Sequence, residues 1–281
     1  MIRNFVNCEK MNGKTLIKLI PREHGAWAMW LVPYVAGVAL AARPTWRFFA
    51  FAVGALLLFV ARGEFTRWGR RGFRARDLKS RPETSLAVAP GSLGASLALV
   101  CLSPGFTPLT ALYFVFVFVL VASTMALGFL RQERSLGGEL LGILLLTASG
   151  PVALIIGGTE DLRRLVAFHG INFLFFSLSI FYVRAKVAGL RRQQNRLPLW
   201  IKARLGGLAL AYLAFVHLTL WGLVRAGLVP AVMFAAFLPI TVHTVVGVVR
   251  LDRPLNLRRL GFAELAQSLV FLASLLLLWT A

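Results

Sequence analysis

Acidic residues are scarce in this chain: 11 Asp and Glu stand against 31 Lys and Arg among 281 residues. The four His and two Cys are equally few. Each shortage excludes something. Cys8 lies in an N-terminal tail and Cys101 near the far end of an apolar segment, so no disulfide is expected. No group of Cys and His has the spacing of a zinc site, and no metal is predicted. Hard cations such as magnesium need clustered carboxylates, yet no Asp or Glu occurs from Leu162 to Leu251. Long polar stretches are missing too, which leaves little chain for a soluble domain.

What the chain has in excess is apolar surface. It is 58% hydrophobic with a mean hydropathy of +0.74, far above a soluble globule. A helix crossing a bilayer needs about 20 apolar residues. Nine stretches approach that: 25–42, 46–61, 84–103, 107–129, 138–157, 165–183, 205–224, 229–249 and 261–279. Stretch 84–103 is the weakest, interrupted by Pro90, Gly91 and Gly94. The fold class is therefore all-α, a polytopic membrane bundle of about nine transmembrane helices over residues 24–281. Residues 1–23 form a cytoplasmic segment, of which 15–20 can lie along the interface. That segment lacks the apolar core and cleavage site of a signal peptide. Met1 and Met11 are both candidate starts.

The positive charges sort by side. With the N-terminus inside, 26 of the 31 Lys and Arg fall on the inner side, and only Arg43, Arg47, Arg163, Arg164 and Arg225 on the outer. The positive-inside rule then predicts a multi-pass membrane protein with its N-terminus in the cytoplasm and its C-terminus outside. A net charge of +20 would suggest nucleic acid on a soluble protein. Here topology accounts for it, so no nucleic-acid partner is predicted; anionic lipid headgroups at the inner face are. Two inner loops, 62–83 and 184–204, are long and rich in Arg. Gly138 and Gly142 have the small-xxx-small spacing that permits close helix approach. Gly150-Pro151 predicts a kink, with neighbours satisfying the freed carbonyl.

Charged groups at membrane spans are costly and each needs an account. Glu23 and His24 open the first span at the inner side, and Arg62 and Glu64 close the second. Glu139 opens the fifth span, Glu264 the ninth, and Arg184 and Arg250 close the sixth and eighth. All converge on one face. Each also has a plainer explanation. An acid in a first helical turn suits the helix dipole, and an arginine at a helix end can simply snorkel. The densest candidate is Pro21-Arg22-Glu23-His24-Gly25-Ala26-Trp27. His24 can exchange protons near neutral pH, cap its helix, or bond Glu139. Trp27 and Trp30 also fit an interfacial belt. His169 and His217 read as interhelical hydrogen-bonders rather than haem ligands, and no cofactor is predicted. His243 lies about two turns from the inner end of its span, beside Thr241 and Thr244, where it can border a cavity. Asn172 and Gln267 are expected to bond helix to helix.

With these residues the chain resembles the YwiC-like family of bacterial membrane proteins. The motifs are Pro21 to Trp27, Arg134-Ser135 with Glu139-Leu140 and Gly142, Tyr182-Val183-Arg184, and Gly261-Phe262-Ala263-Glu264-Leu265. More remotely it resembles the UbiA-type intramembrane prenyltransferases. That resemblance implies nine helices with a site at the cytoplasmic side, under the loops after the second and sixth. Lys79-Ser80-Arg81-Pro82 is similar to the sequence after their first acidic motif, and Arg134-Ser135 to the opening of their fifth helix. Such enzymes hold magnesium on a prenyl diphosphate with two Asp-rich motifs. From Ala61 to Arg71 only Glu64 is acidic, and the second region has no acid at all. Arginines stand where the metals would be. Magnesium-dependent prenyl transfer is therefore not expected, while guanidinium groups can bind a phosphate, carboxylate or quinone oxygen directly.

The function these observations predict is binding of an isoprenoid, quinone or other anionic-headed lipid in a cytoplasm-facing polar cavity. A divergent transferase without the magnesium motifs fits that description, and so does a non-catalytic descendant. The candidate binding residues are Arg22, Trp27, Arg62, Glu64, Arg81, Arg134, Tyr182, Arg184 and Glu264; those for proton transfer are Glu23, His24 and Glu139. Two rivals remain: a small-molecule or ion transporter, and an accessory protein of a respiratory or lipid-modifying complex.

Overall fold

The computed structural model describes residues 24–70, 91, 94–95, 107–190, 197–252 and 257–279. Among these residues there are nine helices and no strand. They are α1 (His24–Ala39), α2 (Arg47–Arg70), α3 (Pro108–Phe129), α4 (Leu136–Thr147), α5 (Ser149–Ile156), α6 (Leu162–Leu190), α7 (Leu199–Arg225), α8 (Met233–Val249) and α9 (Leu257–Leu278). Helices satisfy every backbone polar group within one segment, which lipid demands. The spans Ala111–Phe129, Leu136–Ile156, Leu162–Gly189, Leu199–Arg225 and Leu260–Leu278 are long and apolar enough to cross a bilayer. Gly25–Ala39, Arg47–Phe59 and Met233–Val249 are shorter apolar helices. The expected third span lies almost wholly outside the described residues. Its Gly91, Gly94 and Ala95 are helical, and Gly94 sits against the carbonyl of Gly54 on α2.

Several helices outrun their apolar stretches. α2 continues to Arg70, α6 to Leu190, and α7 begins at Leu199. The extra turns hold Arg, Lys, Ala and Leu, which favour helix. The bundle closes on itself: α9 packs on α1, α1 on α5, α6 on α7 and α8, and α8 on α9. Its centre is aromatic, with Phe175 and Phe271 stacked 3.8 Å apart and Phe168 and Phe237 beside them in the same core. The outward faces are equally apolar. Phe118, Leu218 and Leu277 are exposed, as lipid-facing positions should be.

The Gly150-Pro151 expectation is met by a break at Ala148 between α4 and α5. There the Ala148 N–H turns to the Leu145 carbonyl, and the Leu144 carbonyl is met by His169 Nε2 at 2.9 Å and by Thr147 Oγ1 at 3.3 Å. Tyr113 Oη lies 3.2 Å from His169 Nδ1 and 3.5 Å from the Ala148 carbonyl. A ring that donates from Nε2 accepts at Nδ1, so one tautomer serves both contacts. Both imidazole nitrogens are thereby spent on helix packing.

The small-residue expectation is corrected. Among the described residues a Cβ on Gly142 would meet nothing within 4 Å, and the atoms nearest to one on Gly138 belong to the preceding loop. The close approach falls elsewhere. Gly37 on α1 faces the Gly150 carbonyl, and Gly150 faces the Pro33 carbonyl and Phe168. α1 and α5 can touch because each presents glycine to the other's backbone.

Candidate functional site

Of the twelve residues predicted for the site, Arg22, Glu23 and Arg81 lie outside the described residues. His24, Arg62 and Glu64 are described as helical backbone only. The other six fall into three groups.

Glu139, Arg134 and Arg184 come together. Ser135 caps α4 by accepting from the Gly138 N–H at 3.0 Å, which fixes the turn and sets Glu139 on the flank of α6. Arg184 Nε reaches Glu139 Oε2 at 2.8 Å, and Arg184 Nη2 donates to the Arg134 carbonyl at 2.8 Å. Both side chains of the ion pair are part-exposed. Arg134 contributes its carbonyl here, not its charge.

Tyr182 and Glu264 form the second group, with a partner absent from the twelve. Tyr182 is two residues from Arg184 on α6 and so looks to the other side of that helix. Its ring meets His243 edge-on at 4.7 Å, and it fits because α8 carries Gly247 beneath it. His243 Nε2 stands 3.8 Å from Glu264 Oε1. Glu264 Oε2 accepts from Ser179 Oγ at 2.5 Å. Ser268 donates to the Glu264 carbonyl at 2.8 Å. Glu264 is seven residues into α9, Tyr182 eight before the end of α6 and His243 six before the end of α8. At 1.5 Å per residue, all three lie about 10 Å along their helices from the basic end.

This second group is incompletely satisfied. Among the described residues, His243 Nε2, Thr244 Oγ1 and Gln267 Oε1 are buried without a hydrogen-bond partner. Thr244 is completely enclosed. The expectation that Gln267 and Asn172 bond between helices is not met. Gln267 Oε1 is unpartnered, and Asn172 donates to Phe168 on its own helix.

Trp27 stands apart. It packs edge-on against Trp30 and Phe59, and lines a small apolar cleft with Ala26, Trp30, Leu56 and Phe59.

Two lysines that the sequence reading passed over finish the basic end. The last carbonyls of α8 have no partner within their helix. Lys186, buried on α6, donates to the Arg250 carbonyl. Lys202 on α7 donates to the Val249 carbonyl at 2.9 Å and to Asp252 Oδ2 at 2.9 Å. Asp252 is held below the ordinary carboxylate range chiefly by that lysine hydrogen bond, against a smaller opposing effect of desolvation. Cations at a helix C-terminus also suit its dipole. Ser179, Tyr182 and Lys186 share one face of α6 by their spacing of three and four residues, a signal present in the sequence.

Taken together, the arrangement can exchange hydrogen bonds with a polar group that enters the bundle, and it carries a carboxylate and an imidazole able to exchange a proton. Among the described residues no group of three or more His, Cys, Asp and Glu could hold a metal ion. No curated protein and no solved structure matches the chain. The family resemblance does hold: residues 20–154, just under half of the chain, match the family model described as YwiC-like protein.

Proposed function

We propose that this integral membrane protein binds an isoprenoid, quinone or other anionic-headed lipid at the basic end of its helix bundle. In this reading the protein sits in the bacterial inner membrane with its N-terminus in the cytoplasm, and the lipid enters from the inner leaflet. The observation that carries it is the buried, unpartnered His243 Nε2 beside Glu264 and Tyr182, with Thr244 Oγ1 and Gln267 Oε1 likewise unpartnered on the same two helices, α8 and α9. An unsatisfied polar group in an apolar bundle is costly, and a ligand headgroup would supply the missing partners. Arg184 at the rim, together with Arg62 and Arg81, holds the head. Glu23, His24, Glu64, Glu139 and Glu264 orient those arginines or move a proton. A UbiA-like bundle is compatible with this site, and arginines in place of the Asp-rich motifs argue against magnesium-dependent prenyl transfer.

Mass spectrometry of lipids that co-purify with the protein tests the reading. A single quinone or prenyl species enriched over bulk lipid, and lost in Arg184→Ala and Glu264→Gln, supports it. Bulk lipid composition in all three proteins overturns it. Robust magnesium-dependent transfer from a labelled prenyl diphosphate would overturn the metal-free part.

A transporter is the second reading. It is favoured by the break at Ala148, since interrupted helices often flank translocated substrates. Substrate-dependent flux in liposomes separates it from simple lipid binding.

A further inference from the structure

We infer that Glu264 and His243 form a proton-binding site inside the bundle. The inference rests on the same polar cluster as the lipid-binding reading but needs no lipid.

The geometry is unusual for a purely structural pair. Glu264 Oε2 is engaged by Ser179 at 2.5 Å. Glu264 Oε1 faces His243 Nε2 across 3.8 Å, too far for a hydrogen bond. Nε2 itself is buried without a partner. Two groups that can each hold a proton thus face each other across a gap, and among the described residues no other donor or acceptor claims the imidazole nitrogen. One proton suits either of them. On Oε1 it leaves a neutral carboxyl facing a neutral imidazole. On Nε2 it gives a carboxylate facing an imidazolium. Transfer between these two states breaks one O–H bond, forms one N–H bond and needs no other reactant. A closure of about 1 Å would bring the pair to hydrogen-bond distance.

The surroundings favour a mobile proton over a fixed ion pair. On α6 the pair is faced by Ser179, by the Tyr182 hydroxyl-bearing ring and by Lys186 one turn further on. Lys186 donates to the Arg250 carbonyl, and its charge lies near His243. On α8 Thr244 adjoins His243, and on α9 Gln267 and Ser268 adjoin Glu264. α7, packed on α6 and α8, has Lys202 paired to Asp252 and His217 bonded to Leu213 and Thr241, while its Arg204 and Arg225 are exposed. α4, packed on α6, has Glu139 paired to Arg184. α1, packed on α9, brings only His24, of which the backbone alone is described. Among the described ion pairs, Lys202 and Arg184 each have an acidic partner of their own, which leaves Glu264 and His243 facing each other.

Infrared difference spectroscopy tests this on the full chain in vesicles of phosphatidylethanolamine and phosphatidylglycerol, titrated across the imidazole range, about pH 5 to 8. A carboxyl C=O band that weakens as pH rises and is absent from Glu264→Gln is the expected result. In His243→Gln its midpoint should move by about one pH unit or more, because the proton has lost its second host. His243→Asn serves if the first variant does not fold. A spectrum unchanged in Glu264→Gln overturns the proposal. So does a Glu264 band whose midpoint ignores the loss of His243. Neither outcome touches the lipid-retention measurement, so the two readings can fail separately.

Discussion

Arg184 on α6 reaches Glu139 on α4 at 2.8 Å and also binds the carbonyl of Arg134 just before α4 begins. One guanidinium thereby joins a helix end to the loop and first turn of a neighbour. Because both charged side chains are part-exposed, water screens the pair, and its worth to stability is about 0–1 kcal/mol. Arg184→Ala should therefore lower the unfolding temperature only slightly. Arg184→Lys should keep the charge but lose one of the two contacts, since an ammonium cannot fork as a guanidinium does. If thermal melts in detergent show a large loss for Arg184→Ala, the residue is a structural brace. A small loss in the melt with a large loss of retained lipid assigns it to the rim of the site.

The Tyr182 ring occupies the space that a side chain at position 247 would need; ring atoms Cζ and Oη lie 2.8 Å from a Cβ built on Gly247. Gly247→Ala should push the ring away from His243 and cost about 1–3 kcal/mol by overpacking. Tyr182→Ala opens its own hole at the same spot. The double variant Gly247→Ala with Tyr182→Ala should then cost less than the two single costs added together. Chemical unfolding of the four proteins measures this. Strict additivity would mean that the ring does not rest on Gly247.

Much of the fold was legible because lipid simplifies the problem: apolar length and one-sided charge are enough to locate helices. Boundaries were less so, since apolarity marks where a span is and says little about where its helix stops. α2 and α6 run on through Arg-rich turns that a hydropathy reading assigns to loops. The charged pair Glu139 and Arg184 could be anticipated from depth alone. The grouping of Ser179, Tyr182, His243 and Glu264 could not, because it depends on which way α6, α8 and α9 are rotated about their axes. In an all-apolar bundle inward and outward faces have the same composition, so periodicity carries little rotational information. The misplaced glycine contact has the same cause. Gly138 and Gly142 have the right spacing, but the helix rotation turns Gly142 away from every described neighbour.

Gly37 and Gly142 make a matched contrast. A Cβ at 37 would strike the Gly150 carbonyl and come within 2.9 Å of Ala153 Cβ, whereas among the described residues a Cβ at 142 would meet nothing within 4 Å. The carbonyl is backbone and cannot step aside without parting α1 from α5. Gly37→Ala should reduce folded yield and melting temperature, by about 1–3 kcal/mol of stability. Gly142→Ala should be neutral or slightly stabilising, because alanine is the better helix former. Size-exclusion profiles and thermal melts of the two variants check this. Equal behaviour would remove the α1–α5 contact as the reason for glycine at 37.

The Lys202–Asp252 contact predicts a pH dependence whose sign is fixed. Asp252 lies beyond the end of α8, and its carboxyl is held below the ordinary range mainly by the Lys202 hydrogen bond. A group whose folded value is depressed stabilises the fold above its unfolded value, and that contribution disappears as pH falls through the folded value. The advantage of wild type over Asp252→Asn should therefore be constant from neutral pH down to the ordinary carboxylate range. It should shrink only as the pH drops below that range. Lys202→Met should remove most of the pH-dependent part and also strip the Val249 carbonyl of its partner, so its loss in melting temperature should exceed that of Asp252→Asn at neutral pH. Melts of the three proteins across acidic pH decide the matter. An Asp252→Asn deficit that is unchanged below the carboxylate range would mean that Asp252 acts through its shape rather than its charge.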